Sequence, residues 1–237
     1  MQVWPRPSIS RMGVGALARL SMIGGLALAP TLLRADELAA GKFLVASRGL
    51  LDPNFAQTVV LLIQYDNDGA MGVIINRPTE VGLEELLPDL RDDRRAHVTV
   101  GVGGPVAHWQ MILLYRRESG LDESNPVFED VFFSASRGVL DLLLTEGDEF
   151  RIYAGYAGWA PGQLEFEVDR GSWYVLPGDV ASIFGSAPFE LWRELIVQGE
   201  AKWVGLPGSQ APDDGPAAAA AAAKCAVVEV SSVERAR

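Results

Sequence analysis

The stretch that most narrows the fold is residues 58–76, which read TVVLLIQY, then DNDG, then AMGVIIN. The β-branched density of the first segment favours a buried strand over a helix. Asp66-Asn67-Asp68-Gly69 then supplies residue types that tolerate the positive φ a tight reversal requires. Residues 70–76 are therefore expected to return as the antiparallel partner. Arg77-Pro78 ends that partner, because proline cannot donate to a ladder.

The same reading predicts further strands at residues 43–46, 98–102, 111–115, 127–133, 150–156 and 173–176. Short helices are expected at residues 83–87 with Thr79 as cap, at 137–144 with Ser134 or Ser136 as cap, and at 163–168. Two more are expected at 180–184, capped by Asp179, and at 189–197. Residues 120–126 are polar and turn-rich, and read as a surface loop. Helices interspersed singly among strands, with a tight hairpin breaking any strand-helix-strand rhythm, give an α+β class with a largely antiparallel sheet. Residues 41–206 have single-domain length, enough to bury about two-thirds of the unfolded surface.

The two ends differ from this core. Residues 1–35 carry Arg6, Arg11, Arg19 and Arg34 and no acid, and residues 20–33 are uncharged and mostly apolar. Fourteen helical residues reach about 21 Å, short of a hydrocarbon core of about 30 Å. Residues 1–40 are thus expected to be a signal peptide, cleaved after Ala35 or Ala40, leaving no stable membrane span after processing. The alternatives are an organelle transit peptide or an extension on a cytoplasmic protein. Residues 207–237 form a tail rich in Ala and Pro, with a run of alanines at 217–223. Cys225, the single cysteine, cannot form an intrachain disulfide and is expected to be a bystander.

Charge excludes one class of partner. The chain has a net charge of -11, and residues 36–207 carry 13 basic against 27 acidic residues. Such a field repels phosphate, so nucleic acid is not an expected partner. Arg91, Arg94 and Arg95 cluster locally, but Asp89, Asp92 and Asp93 interleave them. His97, His108 and Cys225 are too few and too scattered for a zinc or iron site. Asp66-Asn67-Asp68 lacks a downstream bidentate Glu and reads as a turn rather than a calcium loop. Neither G-x-S-x-G nor the phosphate-loop motif occurs. Residues 101–106, GVGGPV, lack the last glycine of a dinucleotide fingerprint, and Pro105 removes a backbone donor. No catalytic residue, cofactor or metal ligand is assigned on these grounds.

Several motifs stand in a characteristic order: residues 41–47 (GKFLVAS), Asp52-Pro53-Asn54-Phe55, residues 69–78 (GAMGVIINRP), and Gly103-Gly104-Pro105-Val106. Ser134-Ala135-Ser136-Arg137 and residues 155–165 (GYAGWAPGQLE) follow. Together they resemble the YqgE/AlgH family of bacterial proteins over about 165 residues. The resemblance implies a single domain whose sheet is strongly bent towards an open or pseudo barrel. It implies no catalytic residues. One branch of the family is named for transcriptional regulation, a role that conflicts with export to the periplasm if residues 1–40 are a functional signal.

The polar groups expected to converge on a ligand are Asn76, Arg77, Ser134, Ser136 and Arg137, with Trp159 capping a barrel end, lining a pocket or lying in the core. Two hydroxyls at a helix start, with arginines nearby, suit a small anion. The function expected is a non-enzymatic binding or regulatory module for a small anionic ligand or a protein partner. The alternatives are a hydrolase or transferase using Ser134 or Ser136, and a cytoplasmic regulator.

Overall fold

The computed structural model describes residues 38–88, 98–185 and 187–204. Most of the N-terminal extension, the whole of the tail from residue 207 with Cys225, the Arg91-Arg94-Arg95 cluster and His97 lie outside the described residues. The strands are β1 (Lys42–Ala46), β2 (Val59–Asp66), β3 (Gly69–Ile74), β4 (Val100–Val102) and β5 (Val106–Arg116). They continue with β6 (Ser124–Phe128), β7 (Val131–Ser134), β8 (Phe150–Trp159) and β9 (Trp173–Pro177). The helices are α1 (Leu83–Leu86), α2 (Arg137–Glu146), α3 (Gln163–Asp169), α4 (Val180–Phe184) and α5 (Pro188–Val204).

The sheet runs β6-β7-β5-β8-β3-β2-β1-β9, with β4 added beside β8. Every pairing is antiparallel except β4 with β8. The hairpin read from residues 58–76 is β2-β3, with Asp66 opposite Gly69. The bend lies in β8. Its first half pairs with β5 and β4, whereas Ala157, Gly158 and Trp159 pair with β3. Between the halves Gly155 adopts φ 75°, and a Cβ there would stand 2.7 Å from the Gly104 carbonyl oxygen. Only glycine meets both conditions without strain. The sheet consequently curls into a half-barrel, bringing Phe128 of β6 over Gly41 beside β1.

Curling gives the sheet two differently covered faces. On β5, Ile112 and Leu114 enter the main core, while Leu113 and Tyr115 enter a second cluster. This is the strand alternation expressed as two cores. α2 covers the second cluster with Val139, Leu140, Leu143 and Leu144. α3, α4 and α5 close the main one, and the Trp192 indole of α5 donates to the Ala46 carbonyl at 2.8 Å.

Four local expectations are corrected. Residues 127–133 are not one strand. They are the β6-β7 hairpin, reversing at Glu129-Asp130 with Glu129 at φ 46°. Ser124 to Pro126, read as loop, lie in β6, where proline is tolerated because this strand is an edge. Thr79 does not cap α1: its hydroxyl bonds the Val100 carbonyl, and Glu85 accepts from the Gly82 N–H instead. Ser136 occupies the N-cap position of α2 without a side-chain cap bond, and Ser134 Oγ accepts from the Ser136 N–H. Elsewhere β4 starts later, and β5, β8 and α5 run longer, than the pattern suggested.

Candidate functional site

The polar residues singled out in the sequence are distributed to separate places. Asn76 is buried at the end of β3, where its carbonyl accepts from the Val59 N–H at 2.8 Å and its amide donates to the Gln57 carbonyl at 2.9 Å. Arg77 donates to the Pro53 and Ala56 carbonyls. Burial pulls its pKa below the ordinary arginine value, against the opposing charge of Asp52. Ser134 donates to the Glu123 backbone carbonyl, and Ser136 to the Glu123 carboxylate at 2.6 Å. Arg137 faces Asp141 at 3.7 Å. β7, which ends at Ser134, is separated from β3 by β5 and β8. Asn76-Arg77 and Ser136-Arg137 therefore keep different partners.

What does converge is the set of motif segments around residues 52–57. Phe55 stacks on Trp159 with centroids 6.2 Å apart and meets the edge of Trp173 at 5.6 Å. Both indoles donate to one oxygen of Glu167, at 3.0 and 2.9 Å, and Gln163 donates to the other at 3.0 Å. Trp159 is thus a core residue, 6% exposed, that joins β8 to α3. Nearby, Tyr65 donates to Glu165 at 2.7 Å. Burial first, and then this bond, push the Tyr65 phenol up to about 12. At this junction the named donors and acceptors already hold one another.

A cleft of about 430 Å³ lies elsewhere, between the first half of β8, β4 and the α4-α5 region. Its walls include Ile75, Pro78, Ile183 and Pro188, and Tyr153 and Arg151 enter from alternate positions on β8. Gly101 makes room for the tyrosine ring, since a Cβ there would stand 2.9 Å from Tyr153 Cδ1, and Gly103 lets the Gly155 carbonyl approach first and Tyr153 Cβ, at 2.9 Å, second. Glycines two apart strip one strand face of side chains, and an aromatic ring from the neighbouring strand occupies it. Tyr153 is 4% exposed, and its hydroxyl has no hydrogen-bond partner among the described residues. Burial raises its pKa far above the usual phenol range, opposed by the Arg151 charge, so it is a proton donor at neutral pH.

Arg151 is fixed by carbonyls rather than by acids. It donates to the Phe150 carbonyl at 3.2 Å and to the Phe184 carbonyl, and its guanidinium lies 5.7 Å from the Phe184 ring centroid. A guanidinium has five N–H donors, so this clamp leaves others available. Two acids also line the cleft, and each faces an arginine on its own side: Asp148 faces Arg117 at 3.3 Å and Glu149 faces Arg116 at 3.5 Å. Sequence reading missed Tyr153 and Arg151 because it took residues 101–106 as a permissive loop. The alternate spacing of Gly101 and Gly103 was the signal that could have found them.

Among the described residues, no group of three or more His, Cys, Asp or Glu is placed to hold a metal ion. Among them also, no helix is long and apolar enough to cross a membrane.

Comparison with known proteins places this geometry in a family. The AlgH-like family model, DUF179, matches residues 43–203. A UPF0301 protein of Streptomyces coelicolor is 39% identical over 165 residues, covering 66% of this chain and 84% of the relative. A UPF0301 protein of Chlorobium limicola is 34% identical, covering 68% and 87%. The solution structure of the AlgH protein from Pseudomonas aeruginosa matches with a TM-score of 0.58 and 30% identity over 81% of this chain and all of that one. A crystal structure from Corynebacterium diphtheriae, 22% identical and covering 68% and 87%, shares the fold with a TM-score of 0.56. The chain belongs to the AlgH-like family of UPF0301 proteins.

Proposed function

We propose that the domain is a non-enzymatic binding module that takes a small ligand in the cleft beside Tyr153. The observation that carries this reading is a phenol with no partner among the described residues, seated beside Gly101 at a cleft whose walls mix apolar and polar side chains. A phenol hydroxyl that reaches the cleft without a protein partner is free to donate to a ligand acceptor. A cleft of several hundred Å³ suits a small organic molecule. The regulatory part of the reading is that occupancy would be sensed by α4, since Arg151 ties the cleft to the Phe184 carbonyl.

The hydrolase alternative, with Ser134 or Ser136 as nucleophile, draws on the Ser136–Glu123 bond. That bond is exposed, and the Ser134 proton is directed at a backbone carbonyl, neither of which favours an activated nucleophile. Export to the periplasm belongs to this proposal too, and the N-terminus of the mature cell-derived protein tests it. A start near Asp36 supports export, and a start at Met1 supports the cytoplasmic regulator.

The binding reading is tested by thermal shift and chemical-shift mapping of the full chain against a panel of small organic molecules. At least one compound is expected to raise Tm and to move amide signals of residues 99–103 and 151–153. A panel that does neither overturns the cleft as a ligand site.

A further inference from the structure

Resting on the cleft reading above, we infer that the ligand class is an organic monocarboxylate with an apolar body, its carboxylate bonded by the Tyr153 hydroxyl and the free N–H groups of Arg151. Three features of the cleft lead there. Two donors with unfilled positions meet the cleft, a protonated phenol on one side and a partly engaged guanidinium on the other, while the acceptor Asp148 Oδ2, which also lacks a hydrogen bond, faces Arg117 at 3.3 Å. The acids that line the cleft, Asp148 and Glu149, face Arg117 and Arg116 rather than Arg151, and those arginines are shared with Glu146 and Asp130. The remaining walls include Ile75, Pro78, Ile183 and Pro188, which bond nothing and favour an apolar body.

Charge decides between anions. Among the described residues lining the cleft, Arg151 is the one cation, and Asp148 and Glu149 lie along the same wall. A singly charged carboxylate meets less repulsion from those acids than a more highly charged anion does. A phosphate, with close to two charges, would face the acids with one cation to offset it. Planarity points the same way, because a carboxylate takes two in-plane bonds and a guanidinium edge presents its N–H groups in one plane. The tyrosine adds selectivity. A neutral isostere such as a primary amide keeps one acceptor oxygen but places an N–H against a donor-lined end, leaving that contact unmade.

The experiment measures binding of phenylacetate, phenylacetamide and inorganic phosphate to the full chain by calorimetry and by chemical-shift mapping of residues 151–153. Phenylacetate is expected to bind, with the amide and the phosphate at least tenfold weaker. Tyr153→Phe is expected to weaken phenylacetate at least fivefold while Tm moves little, because its hydroxyl has no partner among the described residues. Arg151→Lys keeps the charge but loses the planar edge, and is expected to weaken it further. Phosphate binding as tightly as phenylacetate, or an unchanged Kd in Tyr153→Phe, overturns the carboxylate assignment. Phenylacetamide binding in the cleft while phenylacetate does not overturns it too but leaves the cleft a ligand site. A broad panel with no cleft binder at all sinks both.

Discussion

Two regions of the half-barrel bring polar side chains into the interior, and they do so in opposite ways. At the Phe55 junction, two indoles and an amide meet one carboxylate, and Asn76 bonds the chain at both ends of its amide. At the cleft, a phenol enters an equally buried position and meets no partner among the described residues. The junction takes Phe55, Asn76, Trp159 and Gln163 from the motifs that mark the family, and the cleft takes Ile75 and Pro78. Motif density therefore locates the part of the molecule that is tied together. An unsatisfied donor locates the part able to accept something else.

This contrast is open to direct attack, and the largest effect is expected at the junction. Glu167→Ala removes the acceptor shared by Trp159 and Trp173, stranding two part-buried donors, and should cost about 3 kcal/mol. Urea unfolding measures it, and a loss below about 1 kcal/mol would mean that the junction is not the anchor described. Gly101→Ala comes next. Its Cβ would press on Tyr153 Cδ1 from 2.9 Å, so the ring must shift, at a cost of about 1–2 kcal/mol. The cleft should also lose its small-molecule affinity in this variant, and full affinity would separate the ring's position from binding.

A smaller effect concerns pH. The folded Tyr65 phenol titrates at about 12 against an ordinary value of 10.0. The folded state holds this proton more tightly, so the associated stability is complete below pH 10.0 and is lost as pH rises towards about 12. Phenolate absorbance and unfolding midpoints across that window check the sign, and Tyr65→Phe should remove this part of the alkaline loss. The smallest effect is assigned to Tyr153→Phe, within about 0.5 kcal/mol of the parent, since no bond among the described residues is broken. A loss well beyond that in unfolding experiments would show that the phenol has a partner within the protein, and the comparison would fail at its centre.

Much of the fold could be read from local pattern. The β2-β3 hairpin, the Asp179 cap of α4, where Ser182 N–H donates at 2.8 Å, and the apolar side of α2 follow from neighbours a few residues apart. The β6-β7 hairpin was misread because Glu129-Asp130 gives a weak turn signal and Pro126 argues against a strand unless the strand is known to be an edge. Edge status belongs to the sheet order. The candidate site was legible only in part, for a related reason. Asn76, Arg77, Ser134, Ser136 and Arg137 are polar residues at the ends of elements, and sequence cannot say which of them the fold supplies with partners.

By itself, then, the sequence determined the α+β class, the antiparallel hairpin, the short helices and the acidic balance of the chain, because these depend on side-chain period, turn chemistry and composition. Only the tertiary structure decided that β8 bends at Gly155, that Gly101 makes room for the ring of Tyr153, and that its hydroxyl is left without a partner among the described residues. Those outcomes depend on which distant backbones approach within a few ångströms of each other. A glycine and a polar atom look the same in the sequence whether the space beside them is filled or open.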